Sequence, residues 1–141
     1  MSINNDEKIE NQSILLFSVR YCETDQMGVA NHARYFDWYS EGRVQWLKDL
    51  GLLYSDWERQ GIVLPVVHLD AKYKQSAYFQ QELKLITKMI KLTQKSIQFS
   101  YELYHEDCHI ASATTSHLFL IDKKVCRVDD QIYQILKGTL Q

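Results

Sequence analysis

The chain has 141 residues, of which 45% are hydrophobic and 24% are charged. This length and balance fit one compact domain, residues 1–141, with its own hydrophobic core. The formal net charge of -2 lacks the basic excess of nucleic-acid-binding surfaces, so we expect no nucleic acid partner. No apolar run is long enough to cross a bilayer. We expect a cytoplasmic protein with no membrane span, in which residues 1–13 form a flexible tail.

The three cysteines are far apart and form no C-x-x-C pair: Cys22, Cys108 and Cys126. This spacing differs from that of zinc ligands, so we expect no bound metal. Thiols in a reducing compartment are most often buried, and we expect the same of these three. Cys22 lies close to Asp25 in sequence, but no nearby His or Lys is positioned to activate it as a nucleophile.

The first predicted element is a strand over residues 15–22. Its odd positions are apolar and predict one buried face: Leu15, Phe17, Val19 and Tyr21. The polar segment that follows breaks the alternation and ends in Gly28, a residue that tolerates a positive φ or a close approach of substrate. Asp25 therefore lies on a connection between a strand and the next element.

A long amphipathic helix is predicted from His32 to Leu50, with Asn31 as its N-cap and Gly51 as its stop signal. Its apolar face carries residues at helical spacing: Tyr35, Phe36, Tyr39, Trp46, Leu47 and Leu50. Gly42 in its interior costs about 1 kcal/mol relative to Ala. We expect that cost to be accepted because the helix approaches a sheet closely.

The remainder predicts a short helix near residues 55–58 and then four strands, over residues 66–73, 82–89, 96–104 and 110–121. Short polar turns join the later strands, which is typical of an antiparallel meander. A further short helix is predicted over residues 130–137. One antiparallel sheet wrapped around one long helix buries both apolar faces, so the fold class is α+β.

Two features of the strand-to-helix connection suggest chemistry. The Asp25 carboxylate can act as a general base or as a nucleophile. Unpaired N–H groups at the start of a helix, near Gly28, Val29 and His32, can polarise a carbonyl and hold its developing negative charge. The sequence does not separate the two roles of Asp25.

The same segment resembles a family signature, in the pattern Tyr21-x-Glu23-Thr24-Asp25-x-x-Gly28-Val29-x-x-His32-x-x-Tyr35. It is similar to the hotdog-fold acyl-CoA thioesterases of the 4-hydroxybenzoyl-CoA thioesterase type. The resemblance implies an antiparallel sheet wrapped around one central helix and assembly as a homodimer or homotetramer. It also implies hydrolysis of an acyl-CoA thioester to free acid and coenzyme A, which is part of the substrate, so no separate cofactor is expected.

The resemblance also implies roles for individual residues. Asp25 matches the catalytic carboxylate, and His32 matches a residue beside the thioester. The neighbouring substrate-binding positions are Gly28, Val29, Asn31 and Tyr35. Two positions depart from the family: Asn31 stands where a Tyr is usual, and Ser40 stands where many members carry a Glu three residues before the helix Arg, here Arg43.

Alternative functions remain open at this point. A hotdog protein can act on acyl-carrier-protein thioesters, or bind acyl-CoA without catalysis. The D-x-N-P-x-H run of hydratases is absent, which disfavours a dehydratase. A related type of thioesterase uses an acid within the helix, which makes Glu41 a second choice for the catalytic carboxylate.

Overall fold

The computed structural model describes residues 11–140. Within them lie three α-helices: α1 His32–Asp49, α2 Tyr54–Arg59 and α3 Asp130–Lys137. Eight strands occur in the order β1 Gln12–Ser18, β2 Ile62–Val63, β3 Val66–Tyr73, β4 Glu82–Leu92, β5 Ser96–His105, β6 Cys108–Leu118, β7 Leu120–Ile121 and β8 Lys124–Val125. Short 3₁₀ turns cover Tyr21–Glu23 and Gly138–Leu140.

The main sheet has five strands in the order β1-β4-β5-β6-β3. Every neighbouring pair in it is antiparallel, and α1 packs against β1 and β4. A small sheet of β2, β7 and β8 lies outside this main sheet. The prediction of an α+β hotdog fold, with an antiparallel sheet around one central helix, is confirmed. Within residues 11–140, no helix has the length and apolar character needed to span a membrane.

The core lies between α1 and the inner face of the sheet. Alternate residues of the central strands are buried there: Leu83, Leu85, Met89, Ile97, Phe99, Tyr101 and Leu103. Aromatic pairs join the layers, with ring centroids 4.6 Å apart for Tyr39 and Tyr101 and 5.3 Å apart for Trp46 and Phe99. These contacts fix α1 on the sheet and thereby fix the position of its first turn.

Gly42 lies where α1 comes closest to β4. A Cβ atom added there would lie 2.5 Å from Thr87 Oγ1 and 2.8 Å from Leu85 Cδ2. No side chain fits in that space without movement of its neighbours, so the expected close approach of helix and sheet is confirmed.

The first strand differs from its prediction. β1 spans Gln12–Ser18 rather than residues 15–22, and Tyr21 is 76% exposed rather than buried. The alternation ends early because Glu23 folds back and its Oε1 accepts a hydrogen bond from the Arg20 N–H, with 2.8 Å between the heavy atoms. Residues 12 and 13 of the predicted tail belong to β1, while residues 1–10 lie outside the described part of the chain.

Two other expectations are corrected. The strand predicted over residues 110–121 ends at Leu118, and the chain then forms β7 and β8, which are too short to give a periodic signal. The cysteines are not buried: Cys22 and Cys108 are exposed and Cys126 is partly exposed. Cys22 follows the early end of β1, and Cys108 begins β6 beside its turn, so both lie where the chain meets solvent.

Candidate active site

The Asp25 carboxylate is held by its own turn. Its Oδ1 accepts hydrogen bonds from the Met27 N–H at 2.8 Å and from the Val29 N–H at 3.2 Å. The backbone closes the same turn, since the Asp25 N–H donates to the Val29 carbonyl and the Gly28 N–H donates to the Asp25 carbonyl. Oδ2 accepts no hydrogen bond within residues 11–140, so one carboxylate oxygen of this exposed side chain faces solvent.

Gly28 allows the turn to close. Its φ of +76° lies in the left-handed region, and a Cβ added there would meet nothing within 4 Å. The backbone conformation, and not crowding, is therefore the reason for glycine at this position.

The start of α1 follows three residues later. Asn31 is the N-cap, and its side-chain oxygen accepts a hydrogen bond from the Ala33 N–H at 2.8 Å, as predicted. The Asn31 carbonyl accepts from the Arg34 N–H. The His32 N–H has no acceptor within the described chain, which makes it the donor at the helix start that is available to a ligand.

The His32 ring lies in a cleft between α1 and the end of β3. It stacks on the Tyr73 ring with centroids 4.0 Å apart and an interplanar angle of 11°, and it meets the Tyr35 ring edge-on. The cleft has a volume of about 180 Å³ and is lined by Val29, Ala30, His32, Tyr35, Tyr73, Lys74, Gln75 and Ser76. Burial raises the pKa of Tyr35 and that of Tyr73, so both phenols are neutral at pH 7 and neither acts as a base.

The structure gathers some of the predicted site residues and separates others. Val29, His32 and Tyr35 line the same cleft. Asp25, Gly28 and Asn31 do not line it: they shape the turn and the cap beside it. The Val29 N–H, expected to face substrate, donates to Asp25 Oδ1.

Glu23 anchors the segment between β1 and α1 through buried hydrogen bonds. It is 4% exposed, and its carboxylate accepts from the Trp38 indole N–H at 2.9 Å as well as from Arg20. Burial raises the pKa of Glu23, but the hydrogen bonds from the Arg20 backbone, the Trp38 indole and the Arg20 guanidinium outweigh it, and the pKa lies below its usual value. Glu23 is therefore a carboxylate at pH 7 and ties the Asp25 turn to α1.

Apolar side chains surround the Asp25 turn without covering it. The exposed members are Tyr21, Met27, Tyr78 and Phe79. Tyr21 and Phe79 pack edge-to-face with centroids 5.5 Å apart, and Val29 forms a β-bridge with Tyr78. An apolar patch of this kind beside a free carboxylate oxygen is typical of a surface that a ligand or a partner covers.

Two features of the site were not predicted from sequence: the stacking of Tyr73 on His32 and the anchoring role of Glu23. Tyr73 comes from a distant strand, and pattern analysis gives no sign of such a contact. The alternative carboxylate, Glu41, lies on a different cleft of about 310 Å³ lined by Leu15, Phe17, Ser18, Arg20, Glu23, Trp38 and Glu41. That cleft does not include the first residues of α1.

A family profile described as the thioesterase-like superfamily matches residues 19–136. A Bacillus subtilis protein named "Putative acyl-CoA thioesterase YneP" is 35% identical over 106 residues, which cover 75% of this chain and 77% of that protein. The prediction that the chain is an enzyme of the thioester hydrolase class is confirmed by these relatives.

Solved structures give the same picture. The hypothetical protein TT1821 from Thermus thermophilus superposes with a TM-score of 0.88 at 31% identity, covering 90% of this chain and 98% of that one. A structure described as the DHNA-CoA thioesterase from Staphylococcus aureus superposes with a TM-score of 0.83 at 29% identity, covering 92% of this chain and 88% of that one. The profile match over most of the chain and the shared fold establish that this chain belongs to the thioesterase-like superfamily.

Proposed function

We propose that the protein is an acyl-CoA thioesterase, in which Asp25 serves as general base or nucleophile and His32 and the start of α1 bind the thioester carbonyl. The observation that carries this proposal is the Asp25 turn, which leaves Oδ2 unpaired and is followed, seven residues later in the chain, by the unpaired His32 amide. The names of the relatives supply the substrate class. Water and the thioester yield a carboxylic acid and the thiol of coenzyme A.

The chemistry needs two groups, and the connection offers both. Asp25 Oδ2 can take a proton from a water that attacks the carbonyl carbon, or attack that carbon itself; in either route the C–S bond breaks and the coenzyme A thiolate leaves, and in the second water then cleaves the resulting anhydride. The His32 N–H, at the positive end of the α1 dipole, can hold the negative charge that develops on the carbonyl oxygen. Gly28 permits the turn, Val29 and Tyr35 line the adjoining cleft, and Asn31 fixes the helix start.

We propose that a second copy of the chain completes the site, in a homodimer or a homotetramer. Asp25 is exposed in the single chain and is surrounded by exposed apolar residues. The edge strand β3 also carries exposed apolar residues, Val66, Val67 and Leu69. Apolar surface at the Asp25 turn and along β3 is therefore available for a partner.

Release of free thiol from a panel of acyl-CoA thioesters tests the proposed activity. We expect Asp25→Asn to lower kcat by at least about 100-fold. The Asn side chain keeps an oxygen that accepts from the Met27 and Val29 N–H groups, so the turn is retained while the base is lost. Asp107→Asn, in the exposed β5–β6 turn, is the matched control and should keep the activity of the unmodified chain.

The panel also separates the alternatives. Full activity of Asp25→Asn would contradict the assigned role. Hydrolysis of carrier-protein thioesters alone would favour the acyl-carrier-protein alternative, and binding of acyl-CoA with no thiol release would favour a non-catalytic binding protein. The panel includes benzoyl and naphthoyl thioesters, because we propose the 4-hydroxybenzoyl-CoA thioesterase type and one structural relative is described as a DHNA-CoA thioesterase.

We also propose a cytoplasmic location. The three cysteines are free thiols, and two of them are exposed to solvent. Exposed free thiols persist in reducing compartments and are oxidised elsewhere. Fractionation of cells that produce the protein tests this location.

A further inference from the structure

A third cleft lies further along α1, away from the Asp25 turn. It has a volume of about 200 Å³ and is lined by Ser40, Arg43, Val44, Leu47, Tyr54 and Leu64. Its walls are largely apolar, and Arg43 supplies its positive charge. An apolar cleft with one convergent charged group is the usual form of a small-molecule subsite.

Among the described residues 11–140, the side chain of Arg43 donates hydrogen bonds to neutral groups only. Its Nη2 donates to Ser40 Oγ at 3.0 Å, and its Nη1 donates to the Tyr101 hydroxyl at 3.0 Å. A series of buried hydrogen bonds continues from Tyr101: its hydroxyl lies 2.6 Å from Thr115 Oγ1, which lies 2.8 Å from His117 Nε2. The series ends at the wall of the cleft, where His117 Nδ1 lies 3.0 Å from the Leu64 carbonyl oxygen.

None of these partners balances the positive charge. Burial raises the pKa of Tyr101, so its hydroxyl stays protonated at pH 7. Burial, with the nearby Arg43 charge, lowers the pKa of His117 to about 4, so its ring is neutral. The hydroxyl groups of Ser40 and Thr115 do not ionise at physiological pH.

The carboxylates of α1 make other contacts. Asp37 pairs with Arg34 at 2.9 Å, and Asp49 accepts from Ser13 and Gln45. Glu41 lines the separate cleft of about 310 Å³ described above. Within residues 11–140 no acidic side chain forms an ion pair with Arg43, although a half-buried cation is costly without one.

We propose that this cleft holds the far end of the acyl group, and that Arg43 selects acyl thioesters with a terminal carboxylate. The inference rests on the proposed thioesterase function and names its substrate class. Two of the five guanidinium N–H donors are used by Ser40 and Tyr101, which leaves three for a carboxylate. Ser40 lies eight residues after His32, roughly 12 Å along the helix, so the acyl group is an extended one.

The test compares decanoyl-CoA with its terminal-carboxylate counterpart of equal length, sebacoyl-CoA. We expect a kcat/KM ratio of about 10 or more in favour of sebacoyl-CoA, because a hydrogen-bonded charge pair forms only with that substrate. Arg43→Gln should bring the ratio close to one, and Arg43→Lys, which keeps the charge, should retain part of the preference. Arg59→Gln, on the neighbouring helix and 72% exposed, is the matched control and should keep the full ratio.

Binding of free sebacate and free decanoate, measured by calorimetry on the same proteins, separates the two proposals. Arg43-dependent binding of sebacate with no thiol release from either thioester supports the cleft and contradicts the thioesterase function. Thiol release without a preference for sebacoyl-CoA, or a preference that survives Arg43→Gln, overturns the cleft assignment and leaves the thioesterase function standing. Absence of both thiol release and sebacate binding overturns both proposals. Circular dichroism confirms that each variant is folded.

Discussion

Glu23 illustrates how one side chain supports a site without being part of its chemistry. Its buried carboxylate binds the Arg20 backbone, the Arg20 guanidinium and the Trp38 indole. Those bonds join the end of β1 to the second turn of α1, on either side of the Asp25 turn. The sequence placed Glu23 in the motif, but a sequence pattern does not distinguish a buried, hydrogen-bonded acid from a solvated one.

His117 makes stability depend on pH. Its pKa falls from the usual 6.5 to about 4 in the folded protein because the ring is buried, so the unfolded chain binds more protons between these values. The free energy of unfolding should therefore be unaffected by His117 above pH 6.5 and should fall as pH decreases toward 4. The loss amounts to roughly 3 kcal/mol, and urea denaturation across that range measures it.

His117→Gln provides the comparison for this pH dependence. The variant cannot take up the proton, so its free energy of unfolding should change less between pH 6.5 and 4 than that of the unmodified chain. Its stability at pH 7 is expected to be lower, since Gln replaces a ring that meets both Thr115 and the Leu64 carbonyl. If the free energy of unfolding changes equally with pH in both proteins, His117 is not the group responsible for the change.

At the level of the element, α1 depends on Gly42 for its distance from the sheet. We expect Gly42→Ala to destabilise the fold by about 1–3 kcal/mol, because the new methyl group overlaps Thr87 and Leu85. In an exposed helix the same change would stabilise by about 1 kcal/mol, so the sign of the effect is diagnostic. Thermal denaturation measures it, with Ser55→Ala in α2, at an exposed position, as a control for helix propensity.

The local sequence specifies some elements more completely than others, for physical reasons. The bounds of α1 were predicted to within one residue, since Asn31, the apolar spacing and Gly51 all point to the same helix. The bounds of β3 were predicted correctly, but its apolar residues form no buried face: residues 66–70 are all exposed, and only Ala71 and Tyr73 are partly buried. An edge strand can keep apolar residues on an exposed surface that pairs with another chain, and the sequence period does not distinguish that surface from a buried face.

The candidate site was predictable as a segment and not as a geometry. The motif located Asp25, Gly28 and His32, and the capping preference of Asn31 located the helix start. Which amide remains unpaired depends on the Asx-type turn of Asp25, and the stacking of Tyr73 on His32 depends on how β3 pairs in the sheet. The turn is a local side-chain contact that the motif does not specify, and the stacking is a tertiary contact that a local pattern does not encode.

For the whole molecule, the exposed edge of β3 predicts self-association. We expect the chain to be at least dimeric, and Val67→Lys to shift it toward the monomer, since a charge on that edge opposes strand pairing. Sedimentation equilibrium measures the state. Leu16→Lys, on the opposite edge strand β1 and at a 71% exposed position, is the matched control and should leave the assembly unchanged.

The reverse outcome is equally informative. Dissociation by Leu16→Lys and not by Val67→Lys would assign the interface to β1. If Val67→Lys also reduces thiol release in proportion to the monomer fraction, the proposed completion of the Asp25 site by a second copy gains support.

The two open edges of the main sheet have unequal consequences for growth. When β3 pairs with its own copy about a two-fold axis, the contact uses the same strand from both chains and closes on itself. Pairing of β3 with β1 of another chain would join two different surfaces, and such a contact repeats into a fibre unless its rotation closes a ring. The ten-stranded sheet of a β3 dimer would therefore have a β1 strand at each edge. Whether the dimer stays soluble depends on how well these β1 edges resist pairing with further chains.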